Sequence, residues 1–197
     1  MRINVIGKAP QWQNAPERNS GLGLCFGLND HILKRDYDIL FDMHKLGDRL
    51  ENPEPDPVPF KWRSKDKIKE ALARAKELNC EVMSLEAWHG CTRYPIEDVV
   101  SKFNLNTFGS GFDYAFAYAM LIGATEINTY GVWMSHKTEY VTQRHSAAIW
   151  VSRAIGLGIK VNLNQNCAIL KLRNPNVYGY DIKQSRFMAE HLTRVAN

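Results

Sequence analysis

The stretch Ile122–Met134 reads IGATEINTYGVWM, and it decides the fold. An apolar helical run ends in Gly123-Ala124, a short segment follows, and that segment stops at Gly131 beside Val132 and Trp133. A glycine just past an apolar periodic run is a helix stop. A short run bounded by glycine reads as a buried strand. A helix that leads directly into such a strand is how a crossover helix enters a parallel sheet. The loop after that strand is where open α/β sheets place their ligands.

The same alternation extends outward in both directions. Upstream lies GSGFDYAFAYAMLIG, a helix opened by Gly109-Ser110-Gly111. Downstream, TEYVTQRHSAAIWVSRAIGLG predicts a long helix closed by Gly156 or Gly158, and IKVNLN a strand. Nearer the start, INVIG (3–7), Leu24–Phe26 and Ile39–Phe41 are short apolar strand candidates, and EVMSLEAW (81–88) is another. SKDKIKEALARAKELNC is an amphipathic helix, with Ser64 as cap, a stripe of Ile68, Leu72, Ala75 and Leu78, and Asn79 at its end. YPIEDVVSKF predicts a short helix with Pro95 in its first turn, and DIKQSRFMAEHLTRVA a terminal helix. The expectation is one Rossmann-like α/β domain over residues 1–197, with a mostly parallel six-stranded sheet and helices on both faces. Glu51–Pro59, ENPEPDPVP, holds four prolines and reads as a loop or lid, covering the site or packing against a partner subunit in a homo-oligomer.

Composition narrows the functional classes. The chain has 197 residues, 45% of them hydrophobic and 23% charged, as in ordinary globular proteins. No apolar run reaches the roughly 18 residues of a membrane span. MRINVIGKAPQWQ lacks the features of a signal peptide, so a cytoplasmic chain is expected. Cys25, Cys80, Cys91 and Cys167 form no CxxC, which argues against a zinc site or disulfide framework. The net charge of +4 slightly favours anionic ligands, but no basic stripe interleaved with aromatics indicates nucleic acid.

If the strands are parallel, the residues after them share one rim. Strand one delivers Gly7, Lys8, Ala9 and Pro10; strand two delivers Asn29 and Asp30; strand three, Asp42 and His44. Strand four delivers Trp88 and His89, strand five Gly131, Trp133 and His136, and strand six Asn164 and Asn166. GKAP is neither a Walker A loop nor GxGxxG, but Gly7 permits close backbone approach and Lys8 can neutralise a phosphate. Ser110 and Gly111 open a helix, whose free amides and dipole suit a phosphate. Asp42 and His44 can hold a ribose, assist proton transfer or ligate a metal. Glu139, Gln143 and Arg144 have the spacing of surface pairs, while His136, Glu139, Tyr140, Arg144 and His145 can form an acid/base or phosphate-clamping cluster.

A helix opened by Ser-Gly, then Gly-Ala, a strand and YGV resembles a segment of the small Rossmann-like bacterial sialyltransferases. It is also similar to Maf-type flagellin-glycosylation proteins, archaeal pterin pyrophosphokinases and small phage-encoded proteins with a GLND…FDMH…YGVDM…EY…QR pattern. The resemblance implies that Gly7 and Pro10 match the family's first glycine loop, from which Lys8 and Ala9 depart. It implies that Asn29 lies near the donor nucleotide, that Ser110 and Gly111 lie at its phosphates, and that Gly131 closes strand five. Where the family carries an acid, this chain has Trp133. The sialyltransferases use a histidine base shortly before the last long helix, a region that here holds His136, Tyr140 and His145.

Three functional classes follow. The first is a glycosyltransferase-like transferase using a nucleotide or nucleotide-sugar donor, with His44 or His136 as base and Asp42 on ribose or base. The second is a pyrophosphokinase-type enzyme, with Mg²⁺ on carboxylates such as Asp42. The third is a nucleotide-binding phage factor without turnover, one that sequesters a ligand or assists DNA modification, and a structural or interaction module is a separate alternative to all three.

Overall fold

The computed structural model, which describes residues 1–51, 64–135 and 140–170, has a sheet of seven parallel strands. They are β1 (Arg2–Ile6), β2 (Leu24–Leu28), β3 (Ile39–Asp42), β4 (Glu81–Ser84), β5 (Thr92–Arg93), β6 (Glu126–Tyr130) and β7 (Lys160–Asn162). The order across the sheet is β5-β4-β3-β2-β1-β6-β7. The chain steps outward from β1 to β5, then returns to lay β6 on the other side of β1. The gap between β1 and β6 is therefore the topological switch point.

The expected six strands are all present, and the seventh corrects that expectation. β5 is two exposed residues, paired with β4 through Met83↔Thr92 and Ser84↔Arg93. So short an edge strand has no apolar signature to read. β4 is also shorter than its apolar run, ending at Ser84, while Trp88 and Cys91 form an isolated antiparallel bridge.

Among the described residues, five helices accompany the strands: α1 (Leu46–Glu51), α2 (Lys65–Glu77), α3 (Ile96–Phe103), α4 (Gly111–Leu121) and α5 (Tyr140–Gly156). Alternate strand residues point to opposite faces and build two cores. Ile3, Val5, Phe26, Phe41 and Ile127 pack with residues of α3, α4 and α5. Ile6, Cys25, Leu40 and Val82 pack with Ile68, Ala71 and Ala75 of α2. α4 is buried on nearly every side, including Phe112, Ala115, Phe116, Ala119 and Met120, which is why its sequence is apolar all round. Short 3-10 turns at Pro10–Asn14 and Asn29–Leu33 have no clear sequence signal.

The helix ends follow local chemistry closely. After α4, Gly123 takes φ +84 and the Ala124 N–H donates to the Ala119 carbonyl at 3.0 Å, the bond that ends a helix in a left-handed turn. The same bond follows α5, from Ile159 to Ala154 across Gly158, and follows α2, from Cys80 to Ala75 across Asn79. Gly158 rather than Gly156 is thus the stop after α5. At the other end of α2, Ser64 accepts from the Lys67 N–H at 3.4 Å.

Polar groups inside the sheet are paired across strands. Asn4, Asn128 and Asn162 are in register on β1, β6 and β7. Asn128 donates to Asn4 at 3.2 Å and Asn162 to Asn128 at 2.7 Å, so each amide meets another. The proline-rich segment beyond Glu51 and the terminal helix expected over 181–196 lie outside the described residues; Glu51 itself closes α1. Among the described residues, no helix is long and apolar enough to cross a membrane.

Candidate functional site

A cavity of about 970 Å³ lies at the carboxyl edge of the sheet, over the switch point. Gly7, Lys8, Ala9 and Pro10 line it from the end of β1, Leu28 and Asn29 from β2, and Met43 and His44 from β3. Gly131, Val132, Trp133 and Met134 close the β6 side. The turn into α4, Phe108–Phe112, forms another wall together with Tyr114, and Gln143 enters from α5. Parallel strands with helical crossovers bring these distant segments together, because every strand ends on the same edge.

Most of the residues singled out from the sequence meet here. Gly7, Lys8, Pro10, Asn29, His44, Ser110, Gly111, Gly131 and Trp133 all line the cavity. The two acids, Asp30 and Asp42, stand behind it, each on a lining partner. Asp30 forms an ion pair with Lys8. Asp42 is 2% exposed and its Oδ1 lies 2.7 Å from Nδ1 of His44. His136 lies outside the described residues. Trp88 and His89 do not line the cavity; the Trp88 indole N–H donates to Glu51 at 2.8 Å.

The glycines at the switch point serve one another. The Gly7 N–H donates to the Tyr130 carbonyl at 2.8 Å, and the Ala9 N–H to the Gly131 carbonyl at 3.0 Å. A Cβ on Gly7 would lie 2.5 Å from the Gly131 carbonyl oxygen. Gly131 has φ +62, and a Cβ there would fall well inside van der Waals contact distance of the Ala9 carbonyl oxygen. The sequence reads Gly7 as making room for a ligand; the atom it makes room for is a backbone carbonyl.

Behind the Lys8–Asp30 pair, His31 is buried, with Nδ1 2.5 Å from the Tyr37 hydroxyl and the edge of its ring against Trp12. Burial, aided by the Lys8 charge, lowers its pKa to about 4. On the β6 side, the Trp133 indole donates to Gln11 at 2.5 Å, and Asn164 accepts from the Val132 N–H at 3.2 Å, tying the end of β7 to the rim.

Several lining groups escape the sequence reading. Phe108 and Tyr114 stack at 4.4 Å, a contact between a loop and a helix that no local pattern encodes. Gln143 reads from its spacing as a surface pairing residue; it lines the cavity. Asp113, fully buried in the first turn of α4 beneath the cavity wall, also escapes that reading. Its signal is present: Ser110-x-x-Asp113 is a capping-box spacing.

The described residues therefore define a doubly wound α/β protein with a large cavity at its switch point. No protein-family model matches the chain, and no curated protein matches it. Among solved structures it is similar, at 12% identity, to a point mutant of the alpha-2,3/8-sialyltransferase CstII, with a TM-score of 0.48 over 85% of this chain and 82% of that one. It is similar, also at 12% identity, to the sialyltransferase CstII from Campylobacter jejuni in complex with a substrate analogue, cytidine-5'-monophosphate, with a TM-score of 0.44 over 97% of this chain and 98% of that one. At this level of similarity neither structure assigns a role to a residue of this chain.

Proposed function

We propose that residues 1–197 form one nucleotide-binding domain, and that it is a glycosyltransferase-like transferase using a nucleotide-activated donor. One observation carries the reading: the Asp42–His44 pair and the Ser110–Gly111 helix start meet at the same cavity. A transfer reaction needs a base for the acceptor at one end and an anion site for the leaving group at the other. Asp42, buried and 2.7 Å from Nδ1, holds that nitrogen as the N–H and makes Nε2 of His44 the nitrogen that takes a proton. In this reading, Nε2 takes the proton of an acceptor hydroxyl as its oxygen bonds to the donor's anomeric carbon. The bond from that carbon to the phosphate oxygen breaks, and the electron pair leaves with the phosphate. The start of α4 receives it through backbone amides, the helix dipole and the Ser110 hydroxyl. Asn29, at φ +56 on the β2 end, is positioned to contact the nucleoside. In this reading Asp42 serves His44 through Oδ1, and a pyrophosphokinase-type enzyme with Asp42 as a magnesium ligand is the second reading.

Native mass spectrometry with CMP, UDP, GDP, ADP and their sugar conjugates, with and without Mg²⁺, tests the binding step. Retention of one nucleotide, abolished by Ser110→Asp, is the expected result. His44→Gln should then keep binding and lose transfer by about a hundredfold or more. Full turnover in His44→Gln would remove the base assignment. Binding without any turnover would leave a nucleotide-binding factor.

A further inference from the structure

The core between the sheet and α4 is not closed at the carboxyl edge. Phe26 and Leu28 share one face of β2, and Met43, just past β3, packs against the same core as Phe41. Phe26 and Phe41 are fully buried, whereas Leu28 and Met43 are only partly buried and line the cavity. Phe108 and Tyr114, on the facing wall, are placed in the same way: packed on this core and open to the cavity. An apolar wall therefore runs from the ends of β2 and β3 to the start of α4.

The rings in that wall are fixed by their neighbours. Phe108 and Tyr114 stack with centroids 4.4 Å apart and planes 25° from parallel. Tyr94 stands edge-on to Tyr114 at 5.0 Å, and its hydroxyl donates to the Tyr114 carbonyl at 3.0 Å. Trp150 of α5, fully buried, lies 5.1 Å from Phe108, and its indole N–H donates to the Thr107 carbonyl at 2.7 Å. Tyr94 also meets Phe41, at 6.4 Å, which puts the stacked pair on the β3 side of the cavity. His44, the residue after Met43, lines the cavity from that side. Rings already ordered lose little freedom on binding, and their faces stack on flat apolar groups.

We propose that Phe108 and Tyr114, with Met43 and Leu28, form the acceptor subsite, and that the acceptor carries its reacting hydroxyl beside a flat apolar ring face. That face is an aromatic aglycone or the CH face of a sugar. The inference rests on the proposed function, because the reading of His44 as the base is what puts the acceptor at this wall. The hydroxyl has to lie within hydrogen-bond reach of His44 Nε2 and beside the donor carbon whose phosphate leaves toward α4. The rest of the acceptor then falls between Met43 and the two rings that flank the start of α4. Stacking there covers apolar surface and fixes the ring plane, and so the direction of the hydroxyl.

Protein with ¹³C-labelled methionine methyl groups provides the test, because Met43 reports from the β3 side of the cavity and Met134 from the β6 side. The probes are the phenyl and methyl β-glycosides of glucose, galactose and N-acetylglucosamine. At least one phenyl glycoside should shift the Met43 methyl saturably and the Met134 methyl less. A preference of about fivefold for the phenyl form identifies an aromatic aglycone, and equal binding of the methyl form identifies the CH face of the sugar. Phe108→Leu and Tyr114→Leu, which keep much of the volume and remove a stacked ring, should each weaken binding about threefold or more. If neither variant folds, the contrast between Met43 and Met134 in the wild type still decides. No Met43 shift with any glycoside, a larger shift at Met134, or wild-type affinity in both variants would overturn the proposal. So would cytidine, uridine, guanosine or adenosine shifting Met43 more than Met134 and weakening in the same variants, which would give the wall to the donor's base. If the glycosides behave as expected but no nucleotide is retained, the transferase reading falls and the wall stands as a ring-binding surface. If nucleotides turn over while the glycosides ignore the wall, the subsite falls alone.

Discussion

Two glycine-containing turns face each other across the cavity, and they are built on opposite principles. At the switch point, Gly7 and Gly131 are closed against backbone: the Cβ of either would collide with a carbonyl oxygen. At the start of α4, a Cβ on Gly111 would meet only Leu28 Cδ2, at 3.7 Å, an ordinary contact. The first pair is needed by the fold itself. The second glycine is not, so any requirement for it must come from something that enters the cavity. One half of the site is occupied by its own backbone, and the other half is left with space beside a helix start, whose first amides have no intrahelical acceptor.

Substitutions can break this contrast. Gly131→Ala should have the largest effect, about 3 kcal/mol of stability, because a side chain is added both at positive φ and against a carbonyl. Gly7→Ala, with only the steric fault, should lose about 2 kcal/mol. Urea denaturation of the two variants measures both, and a loss under about 0.5 kcal/mol in either would contradict the closed packing.

The closed half also holds His31, and acid should loosen it. Its folded pKa, about 4, lies below the ordinary 6.5, so the neutral form is the native one. Its contribution to stability is complete above pH 6.5 and is lost as the pH falls through about 4. The thermal midpoint should drop over that range, and less steeply in His31→Gln. Parallel curves for the two proteins would mean that other groups carry the acid sensitivity.

The smallest stability change is expected in the open half. Gly111→Ala should stay within about 0.5 kcal/mol of the wild type. Its nucleotide affinity should nevertheless fall about tenfold, since the methyl group occupies the approach of a phosphate to the helix amides. Calorimetric titration reads this directly, and unchanged affinity would move the phosphate away from α4.

The parts of the fold that are legible in the sequence are those with a local cause. Gly123, Gly158 and Asn79 end helices because the turn after a helix needs a left-handed residue, and that need is written at one position. β1, β2, β3 and β4 are legible as short apolar runs because their faces are buried, whereas β6 and β7 are legible from the helix stops at Gly123 and Gly158 just before them. β5 is not, because two exposed residues at an edge carry no burial pattern. In the site, His44 and Asp42 are visible as neighbours two apart on a strand end, and the structure adds their 2.7 Å contact. The stacking of Phe108 on Tyr114, the entry of Gln143 and the hydrogen bond from Ser146 to Asp113 are not visible. Each depends on how two helices and a loop pack.

By itself the sequence determined the alternation of strands and helices, the parallel sheet and the set of residues that stand at strand ends. Those follow from burial periodicity and backbone conformation, which act over a few neighbouring residues. Only the tertiary structure decided that Lys8 faces Asp30, that Gly7 meets Gly131, and that Asp113 holds the Ser110 turn against α5. The Lys8–Asp30 pair closes 22 residues of chain and the Asp113–Ser146 bond 33. Such pairings are selected by the packing of whole elements, a quantity that no short stretch of sequence contains.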